Sequence, residues 1–176
     1  KTSQQKEGAN VTASFGNDGY MKNLGSYSTG KMDNGLSASF LFSRTQGDGY
    51  VDGTKFLGHN YFIGVGYEIN DEHSVEFTFT GAPQWHHQRS FAETIATYQQ
   101  FGSGGEPNIK FNPAYGYYKG EEFSLRRNFY HKPVMSLNYD WKISDDSNLS
   151  TVLYASWGRG GGSGPTGDVN NIRDYD

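Results

Sequence analysis

Apolar and polar residues alternate with a period of two along much of this chain, the pattern of strands that carry different chemistry on their two faces. Val11, Ala13 and Phe15 alternate with Thr12, Ser14 and Gly16; Leu36, Ala38, Phe40 and Phe42 alternate with Ser37, Ser39 and Ser43. Tyr61, Ile63, Val65, Tyr67 and Ile69 form a third such series, and Val75, Phe77 and Phe79 a fourth. Pro133, Met135, Leu137, Tyr139, Trp141 and Ile143 form a fifth, followed by Leu149, Leu153, Ala155 and Trp157. With the less regular run from Asn23 to Lys31, where Leu24 and Tyr27 break the alternation, the pattern predicts seven strands. Charges such as Glu68, Glu76, Asp140 and Lys142 fall on the polar face.

The connections between these runs alternate in length. Residues 17–22, 45–60 and 82–130 and the glycine-rich stretch from Gly158 are long and polar, whereas 32–35, 70–73 and 144–148 are tight turns. Asn34-Gly35 is a strong hairpin signal because both residues tolerate positive φ. Short turns on one side and long loops on the other predict an all-β, antiparallel up-and-down transmembrane β-barrel, with Tyr61, Tyr67, Tyr139, Trp141 and Trp157 at the two interfaces. Seven strands cannot close such a barrel, so residues 1–176 are expected to be a fragment of it, with further strands after Asp176. A chain whose first residue is Lys1 is expected to have been processed or cut from a longer one.

Composition narrows the picture. The 176 residues are only 34% hydrophobic, yet 16% are aromatic, with 13 Tyr and 12 Phe, which argues against disorder. Twenty-four Gly against 5 Pro favour strands and turns over helices. No run of 18 apolar residues exists, which excludes a transmembrane helix but not a barrel, whose strands need only one apolar face. With no cysteine there is no disulfide, thiolate metal site or thiol nucleophile. The net charge is −4 and the 15 basic residues are scattered, so nucleic acid is not an expected partner.

Several segments, taken in order, resemble TonB-dependent outer-membrane receptors of the Bacteroidetes type. These are Ser28-Thr29-Gly30-Lys31, Asn34-Gly35-Leu36-Ser37, residues 47–54, residues 81–90, residues 112–117 and residues 128–133. The resemblance implies the N-terminal part of a barrel of about 22 strands, starting just after a plug domain absent from these residues. It further implies a bacterial outer-membrane location and energised uptake of a scarce nutrient: a siderophore, cobalamin, haem, glycan or peptide. Implied partners are the TonB complex, through a missing N-terminal region, outer-membrane lipid, the small nutrient ligand and a surface lipoprotein. A passive porin or structural outer-membrane barrel is the alternative, and a soluble β-sandwich carbohydrate-binding module is a third reading.

Candidate chemistry is sparse, and no enzyme is expected. His86 and His87 are neighbours on an extended backbone and point to opposite faces, so they do not share one ion with His131, and no metal or cofactor is expected. Glu121-Glu122 and Asp145-Asp146 read as solvated turn carboxylates, and no nucleophile elbow is present. The run Gly158 to Gly164 lacks the Lys-Ser/Thr ending of a phosphate loop. Aromatic rings and arginines in and before the 82–130 loop suit stacking on a sugar or an aromatic chelator, and holding an anion. The expected binding residues are Trp85, His86, Arg89, Tyr115, Tyr117, Tyr118 and Arg126, set against the alternative that these rings merely pack the loop on itself. Ser90 and Glu93 are spaced as a capping box and predict one short helix within 89–100, ending near Gly102.

Overall fold

The computed structural model describes residues 1–89 and 92–164. Their strands are β1 (Gly8–Phe15), β2 (Met21–Lys31), β3 (Leu36–Gly47), β4 (Phe56–Glu68), β5 (His73–Gly81), β6 (Gln84–His87), β7 (Tyr115–Tyr118), β8 (Glu121–Ser124), β9 (Arg127–His131), β10 (Val134–Ser144), β11 (Ser147–Ser156) and β12 (Arg159–Gly162). One short helix, α1, spans Ile95–Gln100, and a 3₁₀ turn spans Thr2–Gln4. The larger sheet runs β1-β2-β3-β4-β5-β10-β11, with β6, β9 and β12 continuing it at one end; β7 and β8 form a separate hairpin. Every pairing among these strands is antiparallel.

The seven alternating segments are neighbours in chain order, but the strands are longer than alternation shows. Tyr61 faces Gly81 on β5, and three residues further along each strand Gly58 faces Gln84 on β6, so the register is unbroken. The interruption falls at Ala82-Pro83, where proline has no N–H to donate to a ladder. The Pro83 carbonyl still accepts from the His59 N–H at 2.9 Å. Lys132-Pro133 interrupts β9–β10 in the same way, opposite the first break. The expected 82–130 loop is therefore shorter, because its two ends are strands.

Alternation sorts the side chains as the register requires. Val65, Phe77, Leu137 and Leu153 stand in one row across four strands, and Ile63 and Phe79 stand in the next row on the same face. That face stays partly exposed, with Ile63 at 37% and Leu153 at 66%; among the described residues Pro133, at the β9–β10 break, is fully buried, but no larger hydrophobic side chain is. On the opposite, polar face Ser37, Ser39 and Ser43 are buried, with Thr2 buried against them.

This architecture corrects the transmembrane barrel expected from the sequence. Among the described residues β1 pairs with β2 alone and β11 with β10 alone, so the sheet has two free edges and does not close. Closure is what satisfies the edge N–H and C=O groups of a strand structure in lipid. The readings built on a closed barrel are corrected with it: the outer-membrane location, the receptor-transporter, the porin or structural barrel, and the TonB, lipid, lipoprotein and transported-nutrient partners. Period-two alternation is produced by any sheet with two unlike faces, which is why it could not discriminate. No described helix is long and apolar enough to cross a membrane.

The helix also differs from its expected form. Thr94 caps it, its side-chain oxygen accepting from the Thr97 N–H at 3.2 Å. The expected capping residue, Ser90, lies outside the described residues.

Candidate functional site: a cleft at the loop end of the sheet

The 48–55 loop turns back on itself through Gly49 and Gly53, both at positive φ. The Thr54 hydroxyl donates to the Val51 carbonyl at 2.6 Å. A second segment, 108–112, laces this loop in place. The Asp52 N–H donates to the Lys110 carbonyl at 3.0 Å, and the buried Asn112 side chain donates to the Asp52 carbonyl at 2.8 Å. Arg89, just past β6, grips the same segment by donating through Nη1 to the carbonyls of Ile109 (2.8 Å) and Phe111 (3.1 Å). Its guanidinium also lies 5.7 Å from the Tyr98 ring centre. Phe101 and Phe111 stack at 4.3 Å beneath these contacts.

Between the 50–54 loop and the end of β6 lies a cleft of about 620 Å³, lined by Tyr50, Val51, Thr54, His87, Gln88 and Arg89. The Lys110 ammonium sits 4.8 Å from the Tyr50 ring centre. The His87 N–H donates to the Lys55 carbonyl at 2.8 Å, tying β6 to the start of β4. Burial pushes the His87 imidazole below its ordinary pKa, and the nearby Arg127 and Lys55 charges add to that, so the ring faces the cleft neutral at pH 7.

The expected binding residues distribute unevenly. Arg89 is on the cleft wall. Trp85 lies beside it on the same side of β6 as His87, with ring centres 5.2 Å apart and the Arg127 guanidinium 4.8 Å over the indole. Tyr115 packs over Gly53, where a Cβ would run into its ring. Its hydroxyl donates to Glu122 at 3.0 Å, and Glu122 pairs with Lys55. Burial first, then hydrogen bonding with Tyr117 and Glu122, raises the Tyr115 pKa. The Lys55 hydrogen bond, followed by that of Tyr115, holds the Glu122 carboxylate below its usual range.

Tyr117 shares the face of Tyr115, their ring centres 6.1 Å apart, and is exposed. Tyr118 turns to the other face of the hairpin, against Phe123 at 5.9 Å. His86 likewise turns away from the cleft: its Nδ1–H donates to Gln84 Oε1 at 2.7 Å, and Gln88 Nε2 donates to its Nε2 at 3.0 Å. That pairing assigns the tautomer. Arg126 bridges β8 and β9 through its backbone, its carbonyl accepting from the Gln88 N–H at 2.9 Å. Its side chain lies against Gly164.

Sequence reasoning missed Tyr50, Val51, Thr54, His87 and Gln88 as cleft residues. The signal available was the Asp-Gly-Tyr-Val-Asp-Gly run, whose paired glycines mark a tight loop presenting Tyr50. No group of three or more His, Cys, Asp or Glu among the described residues is placed to hold a metal ion. His131 instead hydrogen-bonds Tyr61 at 2.8 Å.

No protein-family model matches this chain, and neither a curated protein nor a solved structure does. The open sheets correct the resemblance to TonB-dependent receptors: its short segments are turn and strand-end sequences that an antiparallel sheet of this composition supplies in any case.

Proposed function

We propose that this chain is a ligand-binding module whose loop-end cleft takes a saccharide, by binding and without catalysis. The observation that carries the reading is the chemistry of the cleft wall. One aromatic ring, Tyr50, stands beside a hydroxyl, a neutral imidazole and a guanidinium, from Thr54, His87 and Arg89. A sugar ring offers an apolar C–H face for stacking and hydroxyls that both donate and accept, which is what such a wall serves. A volume of about 620 Å³ falls in the usual range for small-ligand sites.

Arg89 supports the reading because two backbone carbonyls hold its guanidinium in place before any ligand arrives, which lowers the ordering cost of binding. Trp85, Tyr115 and Tyr117 extend the aromatic surface around the Lys55–Glu122 pair, where a second sugar unit would stack on the exposed Tyr117. His86, Tyr118 and Arg126 support the neighbouring elements instead of touching the ligand.

A glycan array followed by titration calorimetry tests the proposal. Tyr50→Ala and Arg89→Gln are each expected to weaken binding at least about tenfold, the scale of one stacking or charge-assisted contact. Tyr118→Ala is expected to leave it unchanged. Retention of no saccharide, or equal affinity for all three variants and the parent, overturns the assignment.

A further inference from the structure

Residues 1–7 do not trail away from the sheet. They cross its polar face transversely, touching one strand after another. Lys1 Nζ reaches Asp140 on β10 at 2.8 Å and donates to Ser74 on β5 at 3.0 Å. The Thr2 N–H donates to Glu76 on β5 at 3.2 Å, and the Thr2 hydroxyl lies 2.7 Å from that of Ser37 on β3. Ser39, also on β3, donates to Gln5 Oε1 at 2.7 Å. On β2, a Cβ at Gly30 would lie 3.1 Å from the Glu7 nitrogen and 3.3 Å from the Gln5 carbonyl oxygen.

The sheet is shaped for this occupant. Thr2 is 1% exposed. It sits in a hollow left by Gly64 and Gly66 on β4, where a Cβ would lie 2.7 Å from Thr2 Cγ2 and 2.5 Å from Thr2 Oγ1, respectively. Glycine within a strand sacrifices backbone entropy and side-chain packing, and close approach of another segment is a standard reason for it. Two glycines on one face of β4, alternating with Ile63, Val65 and Tyr67 on the other, carve a seat for one small side chain. Acceptors for a cation lie at one end of the seat, and serine hydroxyls line the rest.

We infer that the polar face of β2 to β5 and β10 is a peptide-binding site that reads lysine followed by a small hydroxyl residue, occupied in cis by residues 1–5. The cation is recognised by Asp140 and Ser74. The hydroxyl residue is recognised by Ser37, by Glu76 through the backbone N–H, and by the Gly64–Gly66 hollow, which excludes larger side chains. The occupant is this chain's own residues 1–5, a short polar peptide in a turn-like conformation.

A fluorescent peptide with the sequence of residues 1–7 tests this by anisotropy against the full chain. Thr2→Asp places a carboxylate beside Glu76 and vacates the seat from within. This variant is expected to bind the peptide at least about a hundredfold more tightly than the parent, whose own segment competes at a millimolar effective concentration. Adding Gly66→Val to it is expected to abolish binding. Absence of binding to folded Thr2→Asp, or binding that survives Gly66→Val, overturns the inference. Should Thr2→Asp not fold, amide exchange on the parent chain decides. The Gln5 N–H, bonded to the Thr2 carbonyl at 3.2 Å, is expected to exchange at least tenfold more slowly than in the free peptide. Equal rates overturn the seat itself.

Discussion

The Tyr61 hydroxyl and His131 Nε2 lie 2.8 Å apart, joining β4 to β9 over the point where both proline interruptions fall. The rings meet edge to face at 5.8 Å. Gly81 makes this approach possible, because a Cβ there would collide with the Tyr61 hydroxyl. Tyr61→Phe is expected to cost about 1 kcal/mol, the usual net worth of one hydrogen bond, as a lowered urea midpoint at unchanged slope. Gly81→Val is expected to cost more, since it also forces the two rings apart. A Gly81→Val chain as stable as the parent would show that the contact is not structural.

The turn between β2 and β3 depends on Gly35 and not on its neighbour. Gly35 takes φ 83°, while Asn34 is not among the positive-φ residues, so this is not the two-residue turn suggested by the Asn-Gly pair. Asn34 contributes through Oδ1, which accepts from the Leu36 N–H at 3.1 Å. A Cβ on Gly35 would approach the Glu68 carbonyl oxygen to 2.5 Å. Gly35→Ala is therefore expected to destabilise by roughly 1–2 kcal/mol from the left-handed backbone alone, and further from the clash. Asn34→Gly should cost less, and paired thermal melts rank the two.

The β7–β8 hairpin carries its strain at Lys119. Lys119 and Gly120 connect the two strands with φ of 54° and 82°, the two-residue turn for which Asn-Gly is preferred. Lys119→Asn is expected to relax the turn by about 0.5–1 kcal/mol, raising amide protection in Tyr115–Tyr118 about twofold to fivefold. Unchanged protection would mean that packing on Gly53 alone governs the hairpin.

Acid should loosen the molecule in two separate windows. Glu68, Glu122 and Asp140 are each held below the usual carboxylate range by a lysine: Lys31, Lys55 and Lys1, respectively. The unfolded chain therefore takes up these protons first as pH falls. Their stabilisation is present above about pH 4 and is lost as pH drops through the lower folded values. All three pairs are at the surface, so added salt should shrink this effect.

His87 acts earlier. Its folded pKa is depressed, so between that value and the unfolded value of about 6.5 the unfolded chain binds the extra proton and stability falls with pH. Melting temperatures recorded from neutrality down to about pH 2 should show both windows, and His87→Gln should remove only the upper one. Persistence of the upper window in that variant would assign it to another histidine.

The faces of the sheet were legible in the chain itself. Ile63, Val65, Phe77 and Leu137 share a face because successive strand side chains point to opposite sides, which is a local property of the backbone. Local turn chemistry likewise marked Gly35 and the short helix, which Thr94 caps. Strand extent was not legible at Trp85-His86-His87 or in 127–131. These runs lack alternation and border prolines, and they are strands because the long β4 offers them a ladder that continues past Gly81.

Closure was beyond the sequence altogether. Alternating residues specify two faces, whereas a barrel requires the first and last strands to meet, and β1 and β11 do not. The candidate site was equally non-local. Arg89 was recognisable as a cation suited to binding, but its partner Tyr50 was not, because only the 108–112 segment, holding Asp52 through Lys110 and Asn112 and Arg89 through Ile109 and Phe111, brings the two to a common cleft. The Thr2 seat follows the same rule. Glycines at 64 and 66 are visible in the sequence, but their reason appears only when residues far away in the chain fold across them, since the contacts that give a glycine its purpose are tertiary.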